Sequence, residues 1–139
     1  MPGFSIPDHF PLHDFVAQEL ANLSVGRHSL TMAFTRVSAM VAGTPKYEDG
    51  ASIWIEAGFR LETPSGEIIT ADNADLSLKA AHLLPLLGQE ITSVERQANN
   101  QLSLSFSGGS ELLLIVDEQG YESYHLQIAG DSIDVTKEW

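Results

Sequence analysis

The 139-residue sequence contains no cysteine. Disulfides, thiolate metal centres and a cysteine nucleophile are therefore excluded. Long apolar runs are also missing, and none approaches the ~20 residues that cross a bilayer as a helix. The opening MPGFSIPDHF has neither a basic n-region nor an apolar h-region, so the expectation is no signal peptide and a cytoplasmic home. Positive charge is scarce. Seven Lys and Arg stand against 19 Asp and Glu, for a net charge of −12. A surface of that sign repels phosphate backbones and anionic lipids, which argues against nucleic acid and membrane as partners. A basic protein would instead be attracted and steered toward it. No serine occupies a G-x-S-x-G elbow, and Ser107-Gly108-Gly109-Ser110 lacks the following Lys of a phosphate loop.

What is present suffices for one core. Hydrophobic residues make up 43% of the chain, which excludes wholesale disorder and is consistent with a single domain over residues 1–139. The stretch 86–127 organises the C-terminal half. Leu102, Leu104 and Phe106 alternate with polar neighbours at period two, the signature of a half-buried strand. The pair Gly108-Gly109 supplies the φ > 0 conformations of a tight hairpin. The return run ELLLIVD is apolar on both faces, as a central strand requires. Further strands are expected over 90–97, 101–107, 111–117, 122–129 and 132–136.

The N-terminal half reads differently. Pro2, Gly3 and Pro7 predict an irregular start, and Pro11 suits the first turn of a helix. Leu12, Phe15, Val16, Leu20 and Leu23 then follow at spacings of three and four, predicting a helix closed by Gly26. A strand is expected over 28–40, a loop over 42–50, and a strand over 52–57 that continues to residue 63 past a bulge at Gly58. Thr63-Pro64-Ser65-Gly66 is a turn, returning through a strand over 67–71. Leu76, Ala80, Leu83, Leu84 and Leu87 predict a second helix over 74–87, strained by Pro85. The expected fold is α+β: antiparallel β-meander sheets with two helices packed on one side. Residues 11–72 and 73–139 each run helix, Gly, then strands, which suggests an internal duplication.

The C-terminal half resembles a family of small, uncharacterised bacterial proteins. The resemblance rests on Leu87-Gly88-Gln89-Glu90-Ile91, Leu102-Ser103-Leu104-Ser105-Phe106 with Gly109, Tyr121-Glu122-Ser123-Tyr124 and Trp139. It covers residues 82–139 well and the first half loosely. Tyr124 stands where that pattern has Trp, and Gly108 where Asp is commoner. The pattern is one of hydrophobic and turn residues, so it implies a fold and no catalytic group. Small acidic proteins of this build look similar to immunity proteins that block secreted toxins, an analogy of type only.

Candidate chemistry is thin. His9 and His13 stand four apart beside Asp8 and Asp14, but Pro11 between them breaks the helix that would bring both rings to one face. His28, His82 and His125 are single, with structural or surface roles expected. No metal, cofactor or catalytic residue is expected. Acids and aromatics do coincide twice, at Tyr47-Glu48-Asp49 and at Asp117, Glu118, Tyr121, Glu122 and Tyr124. Aromatic contact area with acidic attraction suits a surface that docks a basic protein. The leading expectation is a non-enzymatic binding protein, concretely an immunity-type inhibitor of a basic, toxin-like protein. The rival is a small-ligand-binding or enzymatic domain with a pocket between sheet and helices. A homodimer joined through a sheet edge is a third reading.

Overall fold

A computed structural model describes residues 5–136. Pro2, Gly3 and Trp139, on which some readings above rest, lie outside them. Among the described residues the chain is mostly β, with ten strands in two antiparallel sheets. The first sheet orders β1 (Glu19–Val25), β2 (Leu30–Val41), β3 (Thr44–Ile55), β9 (Tyr124–Ile128) and β10 (Asp131–Val135). The second orders β5 (Ile68–Asp72), β4 (Gly58–Glu62), β8 (Glu111–Leu114), β7 (Leu102–Phe106) and β6 (Ile91–Arg96). Each sheet thus draws strands from both 11–72 and 73–139. Leu30, Met32, Ile53 and Leu126 of the first sheet share one buried cluster with Phe59, Leu61, Leu104 and Leu114 of the second.

The α+β expectation of two helices packed on one side is overturned. The predicted N-terminal helix is a single 3-10 turn, Leu12–Phe15, followed by strand β1. Pro11 does precede a helical turn, and Phe15 packs edge-on against Phe34 with centroids 6.3 Å apart. The turn ends at Ala17, whose φ is +72°. The helical spacing of Leu20 and Leu23 has a different cause. The β1–β2 register slips between Leu20 and Asn22, so Leu20 opposes Phe34 while Leu23 opposes Met32. One inserted residue lets two apolar residues three apart face the same core. Backbone groups here also pair across to the other sheet: Ala17 N–H donates to the Ile91 carbonyl at 2.8 Å and Ile91 N–H to that of Gln18 at 2.9 Å. A helix would forfeit those bonds.

The second predicted helix shrinks to α1 (Leu76–Lys79), continued as a 3-10 segment, Ala80–Leu86. Pro85 lies inside that segment, where its missing N–H cannot serve an α-helical ladder. It buries Leu76, Ala80 and Leu83 as expected, but the 3-10 turn buries Leu86 in place of the expected Leu84 and Leu87, which are both exposed.

Two local readings also change. The loop expected over 42–50 is a two-residue turn, Ala42-Gly43, with φ of +51° and +81°, and its remainder belongs to β3. Gly58 is no bulge within one strand. The segment 56–58 is the corner where the chain leaves the first sheet for the second, and Gly58 adopts φ +140° against the Ala71 carbonyl.

Candidate functional site

The outer face of the first sheet leads to the site. Leu30, Met32, Ile53, Ile55, Leu126 and Ile128 face the core, so alternation turns Thr31, Trp54 and His125 outward. The registers set Thr31 beside Trp54, Trp54 beside His125, and His125 beside Asp134. Trp54 is left 46% exposed, a large indole on a surface otherwise rich in small polar side chains. His125 Nδ1 and Asp134 Oδ1 meet at 2.6 Å.

At the end of this row the chain builds a groove. A cavity of about 300 Å3 is lined by Trp54, Glu56, Glu122, Tyr124, His125 and Asp134. A shallower neighbour of about 610 Å3 shares Glu56 and Glu122 and adds Asn73, Asp117, Glu118, Gln119 and Tyr121. Ser123, fully buried, holds the two together. Its carbonyl accepts from Glu56 and Ala57 N–H, both at 3.0 Å. Its hydroxyl donates to the Tyr121 carbonyl at 3.1 Å and accepts from Asp117 N–H at 2.7 Å. The acidic loop is thereby fastened against the end of β3. Asn73 closes the far wall by donating to the carbonyls of Glu56 at 2.7 Å and His28 at 3.2 Å.

Electrostatics single out Glu56. Burial, then the neighbouring Glu122 and Asp134 carboxylates, push its carboxyl above the ordinary carboxylate range. The folded chain therefore holds a proton that the unfolded chain has released, and stability falls as pH rises from that ordinary range through the raised value. Glu56→Gln should raise the melting temperature at neutral pH and have no effect near pH 3.5, where the carboxyl is protonated in both states. Solvent screening limits the gain to a few tenths of a kcal/mol. Melts of both proteins across that pH range check this; equal differences at both ends would contradict it.

The eight residues singled out in the sequence fall into three places. Asp117, Glu118, Tyr121 and Glu122 converge on the groove, where Tyr121 is 68% exposed. Tyr47, Glu48 and Asp49 lie on the outer part of β3, with Tyr47 seven residues and about 20 Å from Trp54 along the strand. There Glu48 pairs with Arg36 at 2.6 Å. Tyr124 goes to the core. It is 1% exposed, its hydroxyl donates to the Asn100 carbonyl, and burial raises its pKa. Its ring offers no surface to a partner. The sequence reading missed Trp54, Glu56, His125 and Asp134, which meet only through strand pairing. The one available signal was Trp54, an indole at the polar-facing position of an alternating strand.

His9 and His13 are both exposed, and among the described residues no group of three or more His, Asp or Glu could hold a metal ion. No helix among them is long and apolar enough to cross a membrane.

Fold and site together define a two-sheet antiparallel β protein with an acidic, aromatic-lined groove at one end of a sheet. The chain belongs to a family of unknown function (DUF6188), which matches residues 14–133. That match takes in the N-terminal strands as well as the C-terminal half. No curated protein and no solved structure matches.

Proposed function

We propose that the groove binds a cationic side chain of a basic protein and that the chain is a non-enzymatic binding module. The observation that carries this reading is the cavity in which Trp54 stands beside Glu56, Glu122 and Asp134. An arginine or lysine there gains attraction from the carboxylates and a cation–π contact on the indole face. It also relieves the repulsion that raises the pKa of Glu56. Tyr121 and the acids at 117 and 118 extend the same chemistry outward, enough for several basic residues. An immunity-type inhibitor that covers the basic active site of a toxin is the concrete form we favour, because a net charge of −12 steers such an encounter.

Trp54 supplies the readout. Titration of an arginine-rich peptide should change its fluorescence, with affinity falling steeply between low and high salt. Glu122→Gln should weaken binding about tenfold, the loss of a hydrogen-bonded charge partner. Unchanged fluorescence at low salt would sink the reading. The cavity volume favours one second reading, a small amine or guanidinium ligand. That ligand would bind as a single cation, with a much shallower salt dependence than the peptide.

A further inference from the structure

Four strands end the two sheets, and three of them are already engaged along part of their outer side. On β1, Leu20 N–H donates to the Gln89 carbonyl at 3.0 Å, and the Leu20 carbonyl accepts from Gly88 N–H at 2.9 Å. On β6, Ile91 N–H donates to the Gln18 carbonyl at 2.9 Å. On β5, the Thr70 carbonyl accepts from Lys79 Nζ at 2.7 Å and Asp72 N–H donates to Asp75 Oδ1 at 2.8 Å. Strand β10 has no such cover among the described residues. Its Val135 carbonyl is turned inward, accepting from Ser123 N–H at 2.9 Å. Backbone groups alternate along an antiparallel strand, so the N–H and C=O of Ser132 and Asp134 are directed away from β9. Both residues are exposed. The edge therefore presents donors and acceptors in strand geometry, a template on which another chain adds a strand.

Position and charge select the occupant. The outward row Trp54, His125, Asp134 runs across the sheet to this edge, so a strand added beyond β10 puts alternate side chains on the face that carries the groove. A side chain opposite Asp134 stands at the border of that groove. His125 Nδ1 meets Asp134 at Oδ1, which leaves Oδ2 for a cation. No Lys or Arg lies between residues 97 and 136, a stretch that includes Glu122, Asp131 and Asp134. Lys137 follows and lies outside the described residues. A second copy is a poor occupant, because pairing β10 with itself brings Asp131 and Asp134 of both chains together at cross-strand spacing. A basic extended segment meets opposite charge there instead.

We propose that a basic partner docks by adding an extended segment to β10 as a sixth strand of the first sheet, with an outward Arg or Lys at Asp134 and in the groove. This rests on the groove reading above and says how the partner's backbone is held. The probe is a short peptide alternating arginine and threonine, titrated into the full chain at low salt and followed by calorimetry. The Ser132 and Asp134 amides should exchange hydrogen rapidly in the free chain and gain protection when the peptide binds. N-methylation of one alternate set of peptide amides, the set directed at β10, should weaken binding about tenfold or more. Methylation of the other set, directed at solvent, should leave it nearly unchanged. If the peptide binds but both methylated forms weaken equally, or the two amides gain no protection, the added strand is overturned and the groove reading stands. No binding at low salt overturns both. Protection of Ser132 and Asp134 in the peptide-free chain, rising with its concentration, would place a second copy on the edge and overturn the assignment to a basic partner.

Discussion

Gly58→Ala should destabilise this protein severely, although it adds only one methyl group at a buried corner. Gly58 sits at φ +140°, a region that L side chains rarely adopt. A Cβ built there lies 2.0 Å from the Ala71 carbonyl oxygen and 3.0 Å from the Ala71 carbonyl carbon and Asp72 Cα. All three are backbone atoms of β5, which pairs with β4 at this point, so no rotamer change relieves the clash. Backbone strain of this kind costs about 1–3 kcal/mol, and separating the strands adds to it. The expected loss is about 3 kcal/mol or more, or roughly 10 °C in melting temperature for a chain of this size. Gly66→Ala is the control. Its φ is +90° but nothing lies within 4 Å, so it should lose only the conformational preference, about 1 kcal/mol. Similar melting temperatures for the two variants would show that the corner relaxes freely.

Gln18→Leu should cost about 2–4 kcal/mol and loosen the β2–β3 hairpin around Ala51. Gln18 is a buried polar side chain, 2% exposed, between the N-terminal turn and β3. Its Nε2 donates to the Asp14 carbonyl at 2.8 Å, and its Oε1 accepts from Ala51 N–H at 2.7 Å. Ala51 lies where the β2–β3 register shifts between Ala33 and Thr35, so the strand ladder supplies its N–H with no regular partner. Leucine has nearly the right shape but offers neither bond, leaving a buried amide and a carbonyl unpaired at about 1–3 kcal/mol each. Hydrogen exchange should show faster opening at Ala51 and the neighbouring residues of β3, with little change in β7 and β8. Exchange unchanged at Ala51 would mean that water replaces the glutamine.

The salt-dependent peptide binding and the Glu56 pH effect are linked through one carboxylate cluster. A cation in the groove lowers the cost of ionising Glu56, so occupancy by the peptide should shrink the stability difference between Glu56→Gln and wild type at neutral pH.

Much of the β architecture was legible because it is local. Period-two alternation marked β7, Ser107-Gly108-Gly109-Ser110 marked its hairpin, and ELLL marked the inner strand β8. These signals need only neighbouring residues and the turn between them. The fold class was not legible, since the helical spacing of Leu20 and Leu23 comes from a bulge and its backbone partners lie some 70 residues away in β6. Helix periodicity and a bulged strand present the same apolar pattern, and only the non-local ladder decides between them. The site divides along the same line. Composition alone indicated the excess of acids, and the sequence placed Asp117, Glu118, Tyr121 and Glu122 together because they are adjacent. Tertiary structure moved Tyr124 into the core by strand alternation and carried Tyr47 to the far end of β3. It also brought Trp54, His125 and Asp134 into one row, since cross-strand neighbours are set by register and register is fixed by which face the core buries.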